Sequence, residues 1–264
     1  MGVVVGDGVG QDSGQTGALD DLGEGLDGVG LQEPDGNLNT RFGRPGQAPR
    51  YSDLEWGHEL YCFGHLIQAG VAQIRTRGGG VLARTALRAA DHVCDMFGAD
   101  GNGICGHPEI ETALAELARA TAESRYLEQA RLLVERRGHG TLPDIEFGRP
   151  YYQDDHPVRE ADVLRGHAVR VLYLAAGATD VAVETGDTEL LAAVERQWEA
   201  TVARRTYITG GMGAHHRDES FGDDYVLPPT PAARPTRTAS GTSRSLRPTH
   251  WPARAGTSWH GPSA

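Results

Sequence analysis

Apolar residues recur at three- and four-residue intervals through the middle of the chain, the spacing of amphipathic helices rather than the alternation of strands. Between Trp56 and Ile74, the residues Leu60, Phe63, Ile67, Val71 and Ile74 share one face, and Gly78-Gly79-Gly80 ends the pattern. Ser52 or Asp53 is placed to cap this first helix, with Glu55 in its first turn. A second helix is predicted over Val81 to Phe97, with Leu82, Ala86, Ala89, Val93 and Met96 as its stripe and a glycine-rich breaker at Gly98 to Gly103 after it. Pro108 suits a first helical turn, and Ile110, Leu114 and Leu117 carry a third helix to Ala122. Ser124 caps a fourth, in which Tyr126, Ala130, Leu133 and Val134 face inward. The Pro-, Gly- and Asp-rich stretch 140–158 reads as irregular, and a fifth helix is predicted from Glu160 to Ala178 around Val163, Val171, Leu174 and Ala178. Asp187 caps a sixth, with Leu190, Leu191, Val194, Trp198 and Val202 on its face.

Six helices with no strand pattern predict an all-α fold of consecutive helical hairpins, each unable to bury its apolar face alone. The first member of each pair carries a histidine at or near its start or within it: Gly57-His58, Gly106-His107 and Gly166-His167. A ring of hairpins whose inner helices aim polar residues at a shared axis explains this repeat. Three capping or core histidines in an ordinary helical domain explain it as well.

Composition changes the picture at both ends. Residues 1–30 hold ten Gly, six acids, no Arg and no aromatic residue, whereas 229–264 hold six Pro, eleven Ser or Thr, five Arg and no acid. Of the total charge of −11, those ends leave −10 on residues 31–228, which also carry nearly all the periodic sequence. Both ends are expected to be disordered, and 31–228 to be the folded part. This acidic balance is wrong for a general nucleic-acid binder. No apolar run approaches the ~20 residues of a membrane span, and no signal-peptide pattern opens the chain. Three cysteines, Cys62, Cys94 and Cys105, cannot staple a domain of this size, so a reducing, cytoplasmic compartment is expected. All 25 basic residues are Arg, which points to a GC-rich coding sequence.

Candidate chemistry gathers in Thr206 to Pro228. Glycines there allow close backbone approach, and Asp218, Glu219, Asp223 and Asp224 crowd beside His215, His216 and Arg217. A carboxyl among other acids, shielded by Phe221 and Tyr225, would have a raised pKa and act as a general acid. A solvated acidic loop is the alternative. Cys94, Cys105 and His107 match no zinc spacing and lack a fourth ligand. Gly210-Gly211-Met212-Gly213 is no phosphate loop, since no Lys-Ser/Thr follows it.

Five segments in order carry a resemblance: Pro34 to Thr40, Trp56 to Cys62, Gly106 to Glu111, Arg165 to Arg170, and Tyr207 to Gly211 with Glu219-Ser220-Phe221 and Asp224 to Pro228. Together they resemble the catalytic domain of glycoside hydrolase family 127, the beta-L-arabinofuranosidases, over about residues 31–228. The resemblance implies a partial (α/α)6 barrel and a retaining mechanism on terminal beta-L-arabinofuranosyl groups of an oligosaccharide or glycoconjugate. It also implies an exception to the two-carboxylate pattern, with a zinc-bound cysteine thiolate as nucleophile and one glutamate as acid/base. Carried onto this chain, Glu219 takes the acid/base role, and His58, His107 and His167 line the sugar pocket. The family's downstream Glu-Thr-Cys pattern would fall at Pro235 and Arg237, and no cysteine follows Cys105. No metal ligand is therefore expected in this chain, and neither zinc nor the nucleophile can be built from it. A frame shift near Pro228, and another before Leu31, would give such ends from a GC-rich gene. The expectation is a truncated glycosidase, inactive alone. The alternatives are a helical-repeat binding module without catalysis, or another sugar-active enzyme on the same barrel, an epimerase or an unsaturated-uronide hydrolase.

Overall fold

The computed structural model describes residues 32–38 and 41–226; the termini expected to be disordered lie outside the described residues. Among the described residues the structure is all-α: six helices packed as hairpins, as in part of an (α/α)6 barrel. They are α1 (Glu59–Arg77), α2 (Val81–Phe97), α3 (Ile110–Thr121), α4 (Ser124–Arg136), α5 (Ala168–Thr185) and α6 (Thr188–Arg204), with one 3-10 turn at Arg149–Tyr152. The only β pairing among them is two isolated bridges, His167 with Ser220 and Thr206 with Met212. No described helix is long and apolar enough to cross a membrane. The chain divides into two compact units, one up to Leu132 and one from Leu133.

In the first unit α1 packs on both α2 and α3. Leu60, Phe63, Ile67 and Val71 are buried as the periodicity predicts. The helix starts three residues later than expected, because Asp53 spends its side chain on the amide of Trp56 (2.9 Å) in a preceding turn. Arg75 and Arg77 in the last turn complement the helix dipole, and the Gly78 amide closes on the Ile74 carbonyl. On α2 the buried face is Ala83, Ala86, Ala89, Ala90 and Val93, while Leu82 and Met96 stand exposed at 37% and 51%. The expected stripe is thus rotated by about one position, because the alanines are the side chains small enough for close helix contact. Around α3, Ile110, Ala113, Leu114, Ala115 and Leu117 are all inaccessible, and the polar Glu111 and Thr112 are buried with them. α4 buries Tyr126, Ala130, Leu133 and Val134 as predicted, and its polar side chains tie it to α2: Tyr126 Oη donates to Asp91 (2.9 Å) and Gln129 to the Phe97 carbonyl (2.9 Å).

In the second unit the irregular segment runs eight residues further than predicted, to Ala168 rather than Glu160. Residues in this stretch bond elsewhere: the Leu164 amide donates to Thr201 Oγ1 (3.0 Å) and the Arg165 carbonyl accepts from Gln153 (3.2 Å). Gly166 then adopts φ +71°, with a hypothetical Cβ only 1.9 Å from the Pro150 carbonyl oxygen, so no side chain fits. Val163 consequently lies outside the helix, whereas Val171, Leu174 and Ala178 pack on its buried face. α5 packs on α6, whose predicted cap is observed: Asp187 accepts from the Leu190 amide (2.9 Å) and also receives Arg159.

Candidate active site

The four residues singled out from sequence fall into two groups, one in each unit. In the first, His58 precedes α1 in a left-handed conformation (φ 59°), and its Nδ1 bonds the Trp56 carbonyl. His107 is 8% exposed, with Nδ1 bonded to the Pro108 carbonyl at 2.9 Å. A carbonyl can only accept, so each Nδ1 carries the proton and each Nε2 is the ring's acceptor position. The two rings are 5.6 Å apart, and Tyr61 stands 4.3 Å from His107 and 4.5 Å edge-on to His65.

Behind this aromatic group lies a residue that the sequence reading missed. Glu109 is inaccessible, and neither carboxyl oxygen has a hydrogen-bond partner among the described residues. It sits against the bare backbone of α1: a Cβ at Gly64 would lie 1.4 Å from Glu109 Oε2. His65 Nδ1 is 3.6 Å from Oε1. Burial, and then the negative charges of Glu111 and Glu116, push the Glu109 carboxyl up to about 9, so it holds a proton at neutral pH. The only sequence hint is the Glu-x-Glu pair two residues after His107, which also reads as an ordinary acidic helix start.

In the second unit His167 is the N-cap of α5. Its Nδ1 accepts from the amides of Val169 (3.2 Å) and Arg170 (3.4 Å), so Nε2 carries the proton and donates to Glu219 Oε2 at 3.1 Å. Burial, reinforced by the Arg170 guanidinium and opposed by Glu219, pushes the imidazole down to about 4. It is therefore neutral near pH 7. Arg170 lies over Tyr151 and Tyr152 at 5.0 and 5.3 Å, and Tyr151 meets the His167 ring edge-on at 5.4 Å.

Glu219 reaches this position because its loop is stitched to the start of α5. The Ala168 amide donates to the Glu219 carbonyl (2.9 Å), and the Phe221 amide to the Gly166 carbonyl (2.9 Å). Ser220 Oγ bonds Asp218 (2.9 Å), and Asp224 pairs with Arg204 and Arg205. Asp218, Glu219 and Asp224 are thus separated by individual partners. Of the two expected shielding aromatics, Phe221 is buried but Tyr225 is 75% exposed, and the Glu219 carboxyl is about half exposed. His215 and His216 are exposed. A carboxyl with one oxygen held by a neutral imidazole N–H, and open to solvent, can give and take back a proton at a bound molecule.

The residues described do not fit zinc: among them no three His, Cys, Asp or Glu side chains converge on a metal-sized site. Burial pushes the Cys62 thiol up and the Cys94 thiol up to about 11, away from the thiolate that zinc binds.

The family profile described as Beta-L-arabinofuranosidase, GH127 catalytic domain, matches residues 28–236. The chain is 37% identical over 220 residues to a non-reducing end beta-L-arabinofuranosidase of Bifidobacterium longum subsp. longum, covering 75% of this chain and 33% of that protein. A crystal structure of a GH127 beta-L-arabinofuranosidase from Geobacillus stearothermophilus T6 superposes with a TM-score of 0.76 at 35% identity, over 84% of this chain and 37% of that one. A further GH127 beta-arabinofuranosidase structure gives 0.69, also at 35% identity, over 79% and 34%. The chain therefore spans about a third of the length of these relatives. With sequence match and superposition agreeing over most of the described residues, this chain belongs to the GH127 beta-L-arabinofuranosidase catalytic-domain family.

Proposed function

We propose that this chain is the acid/base-bearing part of a retaining hydrolase of terminal beta-L-arabinofuranosyl groups, with Glu219 as proton donor and acceptor, and that it does not turn substrate over by itself. The observation that carries the reading is the His167–Glu219 pair. The imidazole is locked in one tautomer by the start of α5, so its N–H stays on Oε2 whether the carboxyl is protonated or ionised. The other oxygen is left to protonate the leaving group and then to activate water. His58, His107 and His167 recognise sugar hydroxyls, the first two through acceptor Nε2 positions. A zinc-bound cysteine thiolate, implied by the family resemblance, finds no counterpart among the described residues, and no step is assigned to it.

The test uses the purified chain and an aryl beta-L-arabinofuranoside. Expected is no release of the phenol above the Glu219→Gln background, together with saturable binding of methyl beta-L-arabinofuranoside by NMR that His167→Ala weakens. A turnover abolished by Glu219→Gln would overturn the inactivity and support the acid/base role. Absence of methyl glycoside binding would overturn the arabinofuranosyl reading.

A further inference from the structure

A buried cation stands beside the His167–Glu219 pair. Arg170 is the third residue of α5, three positions after His167, and is 3% exposed. A positive charge in the first turn of a helix opposes the macrodipole, which favours anions there. On helix electrostatics alone a neutral or acidic residue would be favoured at this position. The guanidinium lies 5.0 Å from the centre of the Tyr151 ring, and that same ring meets the His167 imidazole at 5.4 Å, nearly perpendicular. One buried aromatic side chain thus holds both the cation and the imidazole.

The charge on His167 decides what Glu219 can do. An imidazolium would pair with the ionised carboxylate and hold it in that form, unable to give a proton to a leaving oxygen. A neutral imidazole offers the same N–H without that bias. The ring's Nδ1 accepts from the Val169 and Arg170 amides, and a proton there would forfeit both bonds. The charged groups that act on the ring are Arg170 from its own helix, which disfavours a further proton, and Glu219 and Asp218 from the loop, which favour one. Tyr151, from the 3-10 turn, is uncharged, since burial raises its phenol. Without Arg170, two carboxylates would draw a proton onto the imidazole with no cation to offset them.

We infer that Arg170 is a positioning residue for the acid/base: its charge keeps His167 neutral, so that Glu219 is held by an uncharged donor and stays free to take up and release a proton. This role rests on Glu219 being the acid/base, as proposed above, and adds what sets the charge of its partner.

Imidazole titration in the full chain reads the role directly. Long-range proton–nitrogen NMR, with His167 assigned by the signal missing in His167→Asn, should place the wild-type midpoint near 4. Arg170→Met removes the charge and keeps an unbranched stem, and should raise that midpoint by about one pH unit. Arg170→Lys keeps a charge and should leave the midpoint close to the wild-type value. The acid limb of methyl beta-L-arabinofuranoside binding should move up by the same interval in Arg170→Met and stay in place in Arg170→Lys. An unmoved midpoint in Arg170→Met overturns the role. So does an equal rise in Arg170→Lys, because packing and not charge would then set it. If Arg170→Met does not fold, Arg170→Gln carries the same comparison. A wild-type chain that binds no methyl glycoside overturns the arabinofuranosyl reading, while the titration still decides whether Arg170 sets the charge of His167.

Discussion

Replacing Glu109 with Gln should stabilise the chain, by an amount that grows with pH. The Glu109 carboxyl is raised from 4.5 to about 9 in the folded chain, by burial first and then by Glu111 and Glu116. Between those two values the folded chain holds a proton that the unfolded chain has released. Stability therefore falls as pH rises through this window, by about 1.4 kcal/mol per pH unit. At pH 7.5, three units above the ordinary value, the wild-type chain carries a cost of about 4 kcal/mol, a large part of the ~5–15 kcal/mol typical of a domain. Glutamine has the same shape, cannot ionise, and fits the same space over Gly64. Urea unfolding at pH 4.5, 6, 7.5 and 9 should give nearly equal stabilities at the lowest pH and a gap widening to several kcal/mol in favour of Glu109→Gln. The competing arrangement is an ionised Glu109 paired with His65 across the observed 3.6 Å. In that case Gln would remove the charge that pairs with His65 and destabilise at neutral pH. Parallel pH profiles, or a less stable variant at pH 7.5, would refute a protonated Glu109.

Other outcomes follow from single contacts. His167, held at about 4 against an ordinary 6.5, is protonated more readily in the unfolded chain, so stability should drop by about 3 kcal/mol as pH falls from 6.5 to 4. Proton NMR should find its imidazole titrating near the lower value, and His167→Asn should flatten that part of the stability profile. Asp187→Ala removes both the α6 cap and a partner of Arg159, at a cost of about 1–2 kcal/mol in denaturant unfolding at pH 7. Because its carboxyl is held down at about 2, the wild-type contribution should be complete above pH 3.8 and lost as pH falls through 2, where the variant and wild type converge. Gly166→Ala forces a side chain into the left-handed region and against the Pro150 carbonyl; a loss of at least about 2 kcal/mol is expected, with weakened methyl glycoside binding through the displaced Glu219 loop.

The helices were legible because their signals are local. An apolar face at helical spacing, as in α1 and α4, and a cap such as Asp187 depend on residues within a turn or two of one another. The start of α5 was misread for the opposite reason. The apolar pattern continues through Val163, but what keeps the helix from starting there is Gly166 pressed on Pro150, sixteen residues away, together with Thr201 taking the Leu164 amide. The same division runs through the candidate site. Sequence alone determined that the chain is α-helical, that Gly-His pairs stand at 57–58, 106–107 and 166–167 with Glu219 downstream, and that no cysteine follows Cys105. Only tertiary structure decided which partners those residues meet. His167 and Glu219 are joined across 52 positions because the Ala168 amide of α5 donates to the Glu219 carbonyl and the Phe221 amide to the Gly166 carbonyl, and the first turn of α5 selects the imidazole tautomer. The Glu109 carboxyl is pushed up first by complete burial over Gly64, which no periodicity encodes, since desolvation depends on every element packed around a group rather than on its neighbours in the chain.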